Sequence, residues 1–308
     1  MYAVKACPCC NQQDFIVRSA MVAPFVSAYV LREPARQTRL LECKACEFRF
    51  FEERFTDEEA GRLYSGYRGP EYFRERHASE PWYSQKLNDS IGKDPTEQEY
   101  RKKRLSEFAS GAVQAGSVGS VLDYGGDRGQ FIPEGLGRER FVYEISNLDP
   151  VPGVSRIADT KQLEGRRFDF VMLSHVLEHV SNPEEIISQM RGLVRENGGL
   201  LYLELPYERY RFSRFTTSAL YRGYLGFVSR LRPLLLLTDF VSTALRIKLN
   251  RVPPFGFVKL HEHINFFDRR SLQALLERLG FEVIKFEISS RQEKVGYDGA
   301  LLCLARLR

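Results

Sequence analysis

The stretch 121–131, VLDYGGDRGQF, constrains this chain more than any other. An apolar run ends on an acidic residue, passes through glycines and continues into a helix-compatible segment. That order opens a βα unit. Repeated βα units build a mostly parallel sheet with helices on both faces. From about residue 111 the repeats are present. Candidate strands are 117–123, 140–145, 153–157, 168–174, 199–205, 281–288 and 300–307, with helices between them that include 182–195 and 270–279. Gly280 is a suitable residue to end the last of these helices. Ligands of such sheets sit at the carboxyl ends of the strands, where the strand order reverses. The loop at 124–130 is therefore the first place to look for a cofactor.

The loop itself narrows the cofactor. A dinucleotide fingerprint needs G-x-G-x-x-G, and counting from Gly125 the second and third glycines are replaced by Asp127 and Gln130. Two carboxylates, Asp123 and Asp127, would also repel a pyrophosphate. S-adenosylmethionine has the opposite electrostatics, with an ammonium and a sulfonium. Asp123 can lie near that ammonium, and glycines at 125, 126 and 129 let the backbone approach the ligand. Glu144 closes the second strand about 20 residues beyond the first loop glycine, where an acidic residue can accept both ribose hydroxyls. Ala158-Asp159-Thr160 forms a short turn suited to the adenine edge.

Taken in order, VLDYGGDRGQF, VYEIS, ADTKQL, FDFVMLSHVLEHVSNP and GGLLYLELP resemble a class I S-adenosylmethionine-dependent methyltransferase over roughly 117–206. The resemblance implies a Rossmann-like seven-stranded α/β sheet whose last strand is antiparallel. It implies that Asp123, Gly125, Gly129, Glu144 and Asp159 bind the cofactor, with Ser174 and His175 lining the site. Gly126 and Asp127 belong to the same loop. Asp127 stands where the family has its middle glycine, and aspartate tolerates left-handed backbone better than most residues.

The flanks supply two further modules. Cys7/Cys10 and Cys43/Cys46 form two C-x-x-C turns, which together can close a tetrahedral Cys₄ zinc shell. Such a closed shell is structural. Residues 1–55 thus read as a zinc ribbon, Cys9 as a bystander and Cys303 as a core residue. Residues 56–110 are polar and aromatic with helical pattern; Thr56 and Glu59 form a capping-box signature. The methyltransferase domain proper would be 111–308, interrupted at 207–258 by a segment that reads as two amphipathic helices broken at Pro233. That insertion suits a lid, a dimer surface or a peripheral membrane contact. No stretch reaches the length of a spanning helix, and the amino terminus lacks a secretory pattern, so a soluble cytoplasmic protein is expected. A net charge of +5 favours anionic small partners without a dense basic block for nucleic acid.

Acceptor chemistry concentrates in KLHEHINFF. His261, Glu262 and His263 stand together, followed by Asn265; a metal held by this cluster alone is not expected. A Glu–His pair can fix one imidazole tautomer and leave the other nitrogen as a base. The Cys₄ module, the tyrosine-rich stretch, the core and this E-H together resemble bacterial sugar methyltransferases, some of which act on nucleotide-linked keto sugars. In that family an E-H lies in the active site, which maps to Glu262 and His263, and an upstream tyrosine contributes, here Tyr67 or Tyr72. The keto-sugar enzymes carry a further C-terminal domain that this chain does not show. The expectation is methyl transfer to oxygen or carbon of a sugar or related metabolite, in polysaccharide or natural-product synthesis, with His263 as base oriented by Glu262. Rival readings are an RNA or protein methyltransferase gripping its substrate through the ribbon, and a non-catalytic scaffold.

Overall fold

The computed structural model describes residues 1–113, 116–145, 148–249, 251–289 and 299–308. A seven-stranded sheet forms the centre. In chain order its core strands are Ser120–Tyr124, Glu139–Tyr143, Ser155–Ile157, Phe170–Ser174, Leu200–Pro206, Phe281–Ser289 and Ala300–Leu307. In space they run sixth, seventh, fifth, fourth, first, second, third. The last strand pairs antiparallel with both the fifth and the sixth, while the first pairs parallel with the second and the fourth. The strand order therefore reverses between the first and fourth strands, beside the glycine loop.

The central strands are buried along their whole length. Phe170–Ser174 and Leu200–Pro206 expose no residue, as both faces of a covered parallel sheet require. The helix Pro183–Leu193 covers one face through Ile187, Met190 and Leu193, and Arg269–Arg278 joins it through Leu272, Leu275 and Leu276. The opposite face packs against Leu105, Phe108 and Ala109 of the helix Pro95–Ala109. Helix ends follow their local signals. Thr56 and Glu59 make the reciprocal capping box, and Gly280 takes φ 85° after the last helix.

A second sheet of five strands lies at the carboxyl end of the core. Phe15–Val22, Gln37–Cys43 and Arg49–Phe51 come from the amino-terminal segment. Lys259–Leu260 and Asn265–Phe266, which follow the insertion, complete its two edges. The chain between the cysteine pairs also includes a π-helical turn, Val26–Leu31. Through this shared sheet, KLHEHINFF is held between the amino-terminal segment and the core. The insertion folds as two helices, Ala219–Val228 and Arg232–Leu249. Pro233 lies in the first turn of the second, where its missing N–H costs nothing, and not between the helices as expected.

Candidate active site

The first core strand carries Asp123 to the reversal point of the sheet. Its carboxylate is fully buried, and neither oxygen has a hydrogen-bond partner among the described residues. Burial lifts its pKa, Arg101 opposes this, and Glu204, Glu144 and Asp127 add to the rise, which reaches about 7. An uncompensated buried carboxylate is costly, and a cation placed against it would remove that cost. Gly126 is forced by the same residue: a Cβ there would fall 2.1 Å from the Asp123 carboxyl carbon.

Asp127 occupies left-handed backbone, φ 56°. Its N–H donates to Glu144 Oε2 at 3.1 Å and its carboxylate accepts from Gln130 Nε2 at 3.1 Å. The residue therefore reproduces the turn that glycine would make and ties it to Glu144. Asp159 caps a short helical turn by accepting from the Lys161 N–H at 3.0 Å. Ser174 ends the fourth strand with a buried hydroxyl that has no hydrogen-bond partner among the described residues. His175 follows at φ 56°, with Nδ1 at 3.2 Å from Glu178 and Nε2 at 3.3 Å from Glu204. Burial and Arg101 oppose its protonation, but the two carboxylates carry its pKa to about 9. Arg101 and Arg104, both buried, hold Glu204 from behind at 2.9 and 2.5 Å.

The acceptor side departs from the sequence expectation in one respect. Glu262 does not orient His263. Its carboxylate accepts from the Tyr72 hydroxyl and, at 3.0 Å, from Arg76 Nη1. Burial opposes its ionisation, yet Arg76, His261 and Tyr72 hold its pKa at about 2. The chain bends at 261–262 between the two short strands, and Glu262 and His263 meet different neighbours. The carboxylate on His263 is Glu208, which accepts from Nδ1–H at 2.9 Å and also from the Tyr210 hydroxyl. Burial lowers the His263 pKa, but Glu208, helped by Glu178 and Glu262, makes the net shift upward.

Of the expected substrate residues, Tyr72 is fully buried beside Glu262 and Tyr67 packs edge-on against its ring, with centroids 5.3 Å apart. His261 stacks on Phe25 and faces Glu80 at 3.4 Å. Asn265 was expected to face the acceptor, but its amide is spent on structure. Its Oδ1 accepts from Arg54 at 2.7 Å and its Nδ2 donates to the Leu177 and Val180 carbonyls at 2.8 Å.

Sequence reasoning missed Glu208, Arg76 and the importance of His179, which it had taken as structural. The His179 ring lies edge-on to His263 with centroids 4.8 Å apart, and its Nδ1 faces the Glu262 carbonyl at 3.0 Å. Glu178, His179 and His263 bring one donor atom each to within 4.8 Å of one another. The chain His175–Glu178–His179–His263 thus joins the candidate cofactor cleft to the candidate acceptor side. The available signals were the E-H within HVLEHV and the glutamate just after the fifth strand, in LPYERY.

The four cysteines converge as the spacing requires. Cys7 and Cys46 Sγ lie 3.5 Å apart, as do Cys10 and Cys43. Thiolates at about 2.3 Å from a tetrahedral zinc would be about 3.8 Å apart, so the donor set fits that ion. Arg278 ties this cluster to the core by donating to the carbonyls of Pro8 and Cys9 while pairing with Glu184 at 2.8 Å. Cys9 and Cys303 are buried and stand outside the cluster.

The fold is an α/β sheet protein with its candidate ligand cleft at the sheet reversal. More particularly, residues 97–285 match the family described as a methyltransferase domain, and the chain belongs to that family. Among solved structures it is similar to the 1,6-didemethyltoxoflavin-N1-methyltransferase of Burkholderia thailandensis, at 14% identity and TM-score 0.46, over 88% of this chain and 95% of that one. It is also similar to the magnesium protoporphyrin IX methyltransferase of Synechocystis PCC 6803, at 13% identity and TM-score 0.40, over 69% and 84% of the two chains. A third is the N-methyltransferase NodS of Bradyrhizobium japonicum WM9, at 14% identity and TM-score 0.41, over 70% and 90%. No curated protein matches the chain. Among the described residues no helix is long and apolar enough to cross a membrane.

Proposed function

We propose that this methyltransferase uses S-adenosylmethionine to methylate a sugar or related small metabolite in polysaccharide or natural-product synthesis. The observation that carries the cofactor assignment is the buried, hydrogen-bond-free carboxylate of Asp123 beneath the glycine turn. It fits an ammonium and disfavours a phosphate. Glu144 and Asp159 would hold the ribose and the adenine edge, and Gly125, Gly126 and Gly129 would let the backbone approach. Ser174 and His175 would line the remainder of the cleft. The bound cofactor supplies an activated methyl group, so the chain's task is to place the acceptor and remove its proton.

His263 takes that proton in our reading. Nδ1–H is fixed on Glu208, which leaves Nε2 as the basic nitrogen and stabilises the imidazolium that forms. Tyr72, Glu262, Arg76, Tyr67 and His261 would form a polar wall that recognises hydroxyls of the acceptor. We assign a structural zinc to Cys7, Cys10, Cys43 and Cys46, and divide the chain into a zinc module at 1–55, an aromatic cap at 56–110 and the methyltransferase domain at 111–308.

The test is transfer of labelled methyl to a panel of nucleotide sugars and glycans. Wild type should label at least one. His263→Ala should lower kcat by roughly 10²–10⁴-fold, the usual range for a general base, with unchanged cofactor affinity. Full turnover by His263→Ala on the labelled acceptor would remove the proposed base.

A further inference from the structure

We propose that the helical hairpin of residues 219–249, with the arginine-lined trough at its base, seats the protein on an anionic lipid bilayer. The first observation is where the exposed apolar residues fall. Nine of the fifteen exposed large hydrophobic residues among those described lie between Leu220 and Phe255. In Arg232–Leu249 the residues Leu235, Asp239 and Ser242 are buried, whereas Leu237, Phe240, Val241 and Ile247 face outward at helical spacing. In Ala219–Val228, Tyr221, Leu225 and Val228 are buried, and Leu220 and Phe227 face outward. Leu220 is 78% exposed and Leu237 60%. Each helix therefore has one side against the protein and a second, outward side that is largely apolar, on which Phe240 meets the Trp82 ring with centroids 5.2 Å apart. Concentrated exposed apolar surface of this kind marks an interaction site.

Charge selects the occupant. Residues 218–251 contain six basic side chains and a single acidic one, Asp239. Asp239 is buried and paired with Lys259 at 2.9 Å, so it does not offset the basic side chains at the surface. A second copy of the same face would meet it with like charge, which opposes self-association. Anionic lipid complements both properties, with headgroups for the cations and acyl chains for the apolar side.

The trough beside the hairpin has the same two-part chemistry. A cavity of about 560 Å³ is lined by Arg18, Arg49, Arg209 and Arg211. Arg18 and Arg49 share one carboxylate, Glu42, at 3.2 Å each, and Arg209 pairs with Glu47 at 2.9 Å. Arg209 also lies 3.6 Å from Asp268, so four guanidinium groups face three carboxylates and the pocket keeps a net positive charge. An adjoining cavity of about 410 Å³ shares Arg211 and adds Arg251 with Leu245 and Leu249. A phosphate headgroup suits the first cavity and an acyl chain the second. Tyr210, which donates to the Glu208 carboxylate that holds His263, lines the arginine cavity. The docked face therefore borders the acceptor side.

The test is flotation of the full chain with phosphatidylcholine vesicles, with and without phosphatidylglycerol. The chain should float with phosphatidylglycerol vesicles, and added salt should weaken that binding. Leu220→Asp combined with Leu237→Asp should reduce it by about tenfold or more, because charge is costly at the interface. Arg230→Glu with Arg232→Glu should abolish the preference for phosphatidylglycerol. Thermal melting and S-adenosylmethionine affinity should be unchanged in both variants, and vesicle binding reads out independently of any methyl transfer. Absence of flotation would overturn the proposal. So would equal flotation of the apolar-to-aspartate variant, or a concentration-dependent dimer that this variant dissolves.

Discussion

The cofactor cleft and the acceptor side are built differently. The cleft comes from a short-range unit: a strand, its glycine turn and the next strand put Asp123, the glycines and Glu144 together, with turns and no helix over 125–138, where the sequence suggested a helix. The acceptor side is assembled from distant segments. Tyr72 and Arg76 come from the helix Pro70–Ser79, His179 from the loop after the fourth strand, Glu208 from the end of the fifth, and His261 to His263 from the edge of the second sheet. The two sides also treat charge oppositely. Asp123 has no hydrogen-bond partner among the described residues. Glu262 is already engaged at Oε1 by Tyr72 and Arg76.

The largest effect should come from breaking the element that holds the acceptor side in place. The second sheet joins the cysteine cluster to the strand that ends at Phe266. Cys43→Ser should therefore cost on the order of 4 kcal/mol of stability, the scale at which losing a metal shows itself. Elemental analysis should find zinc in wild type and little in the variant. Wild-type protein that is fully folded with no zinc would refute the metal assignment.

A smaller effect isolates the base. Glu208→Gln removes the negative charge that raises the His263 pKa. The ascending limb of the pH–rate profile should move to lower pH, since less alkaline solution then suffices to free the imidazole. We expect kcat to fall by about 10-fold or more as the imidazolium loses its partner. A Glu262→Gln variant should move that limb less than Glu208→Gln does, because Glu262 contributes less to the rise. If Glu262→Gln shifted it and Glu208→Gln did not, the sequence pairing of Glu262 with His263 would be restored.

The smallest effect is on the cleft. Asp127→Gly relieves left-handed strain at a cost of the Gln130 contact, so cofactor affinity should change by no more than roughly threefold. A large loss on calorimetric titration would make the Asp127 carboxylate itself a ligand.

The same contrast explains what could be read from sequence. The strand positions, the left-handed tolerance of Asp127, the capping box at Thr56 and the cysteine pairing all depend on neighbours within a few residues, or on a fixed spacing. Each of these was legible. Glu208 was not, because nothing in LPYERY says that its glutamate meets a histidine 55 residues later. Asn265 misled for a similar reason. A polar residue beside an active-site motif looks functional until Arg54 and two loop carbonyls are seen to use its amide. The shared second sheet was hidden too, since Lys259–Leu260 and Asn265–Phe266 are too short to announce themselves as strands.

One measurement tests the central claim most directly: calorimetric titration of S-adenosylmethionine against wild type and Asp123→Asn across pH. The ligand-free Asp123 has a pKa near 7, so folded protein binds its proton more tightly than unfolded chain does. Its charge therefore lowers ligand-free stability as pH rises from about 4 to 7, and a cation restores that loss. Affinity of wild type should rise by about tenfold between roughly pH 6 and pH 8, and Asp123→Asn should bind weakly with no such rise. Wild-type binding that is flat with pH, or Asp123→Asn binding as tightly as wild type, would contradict the account.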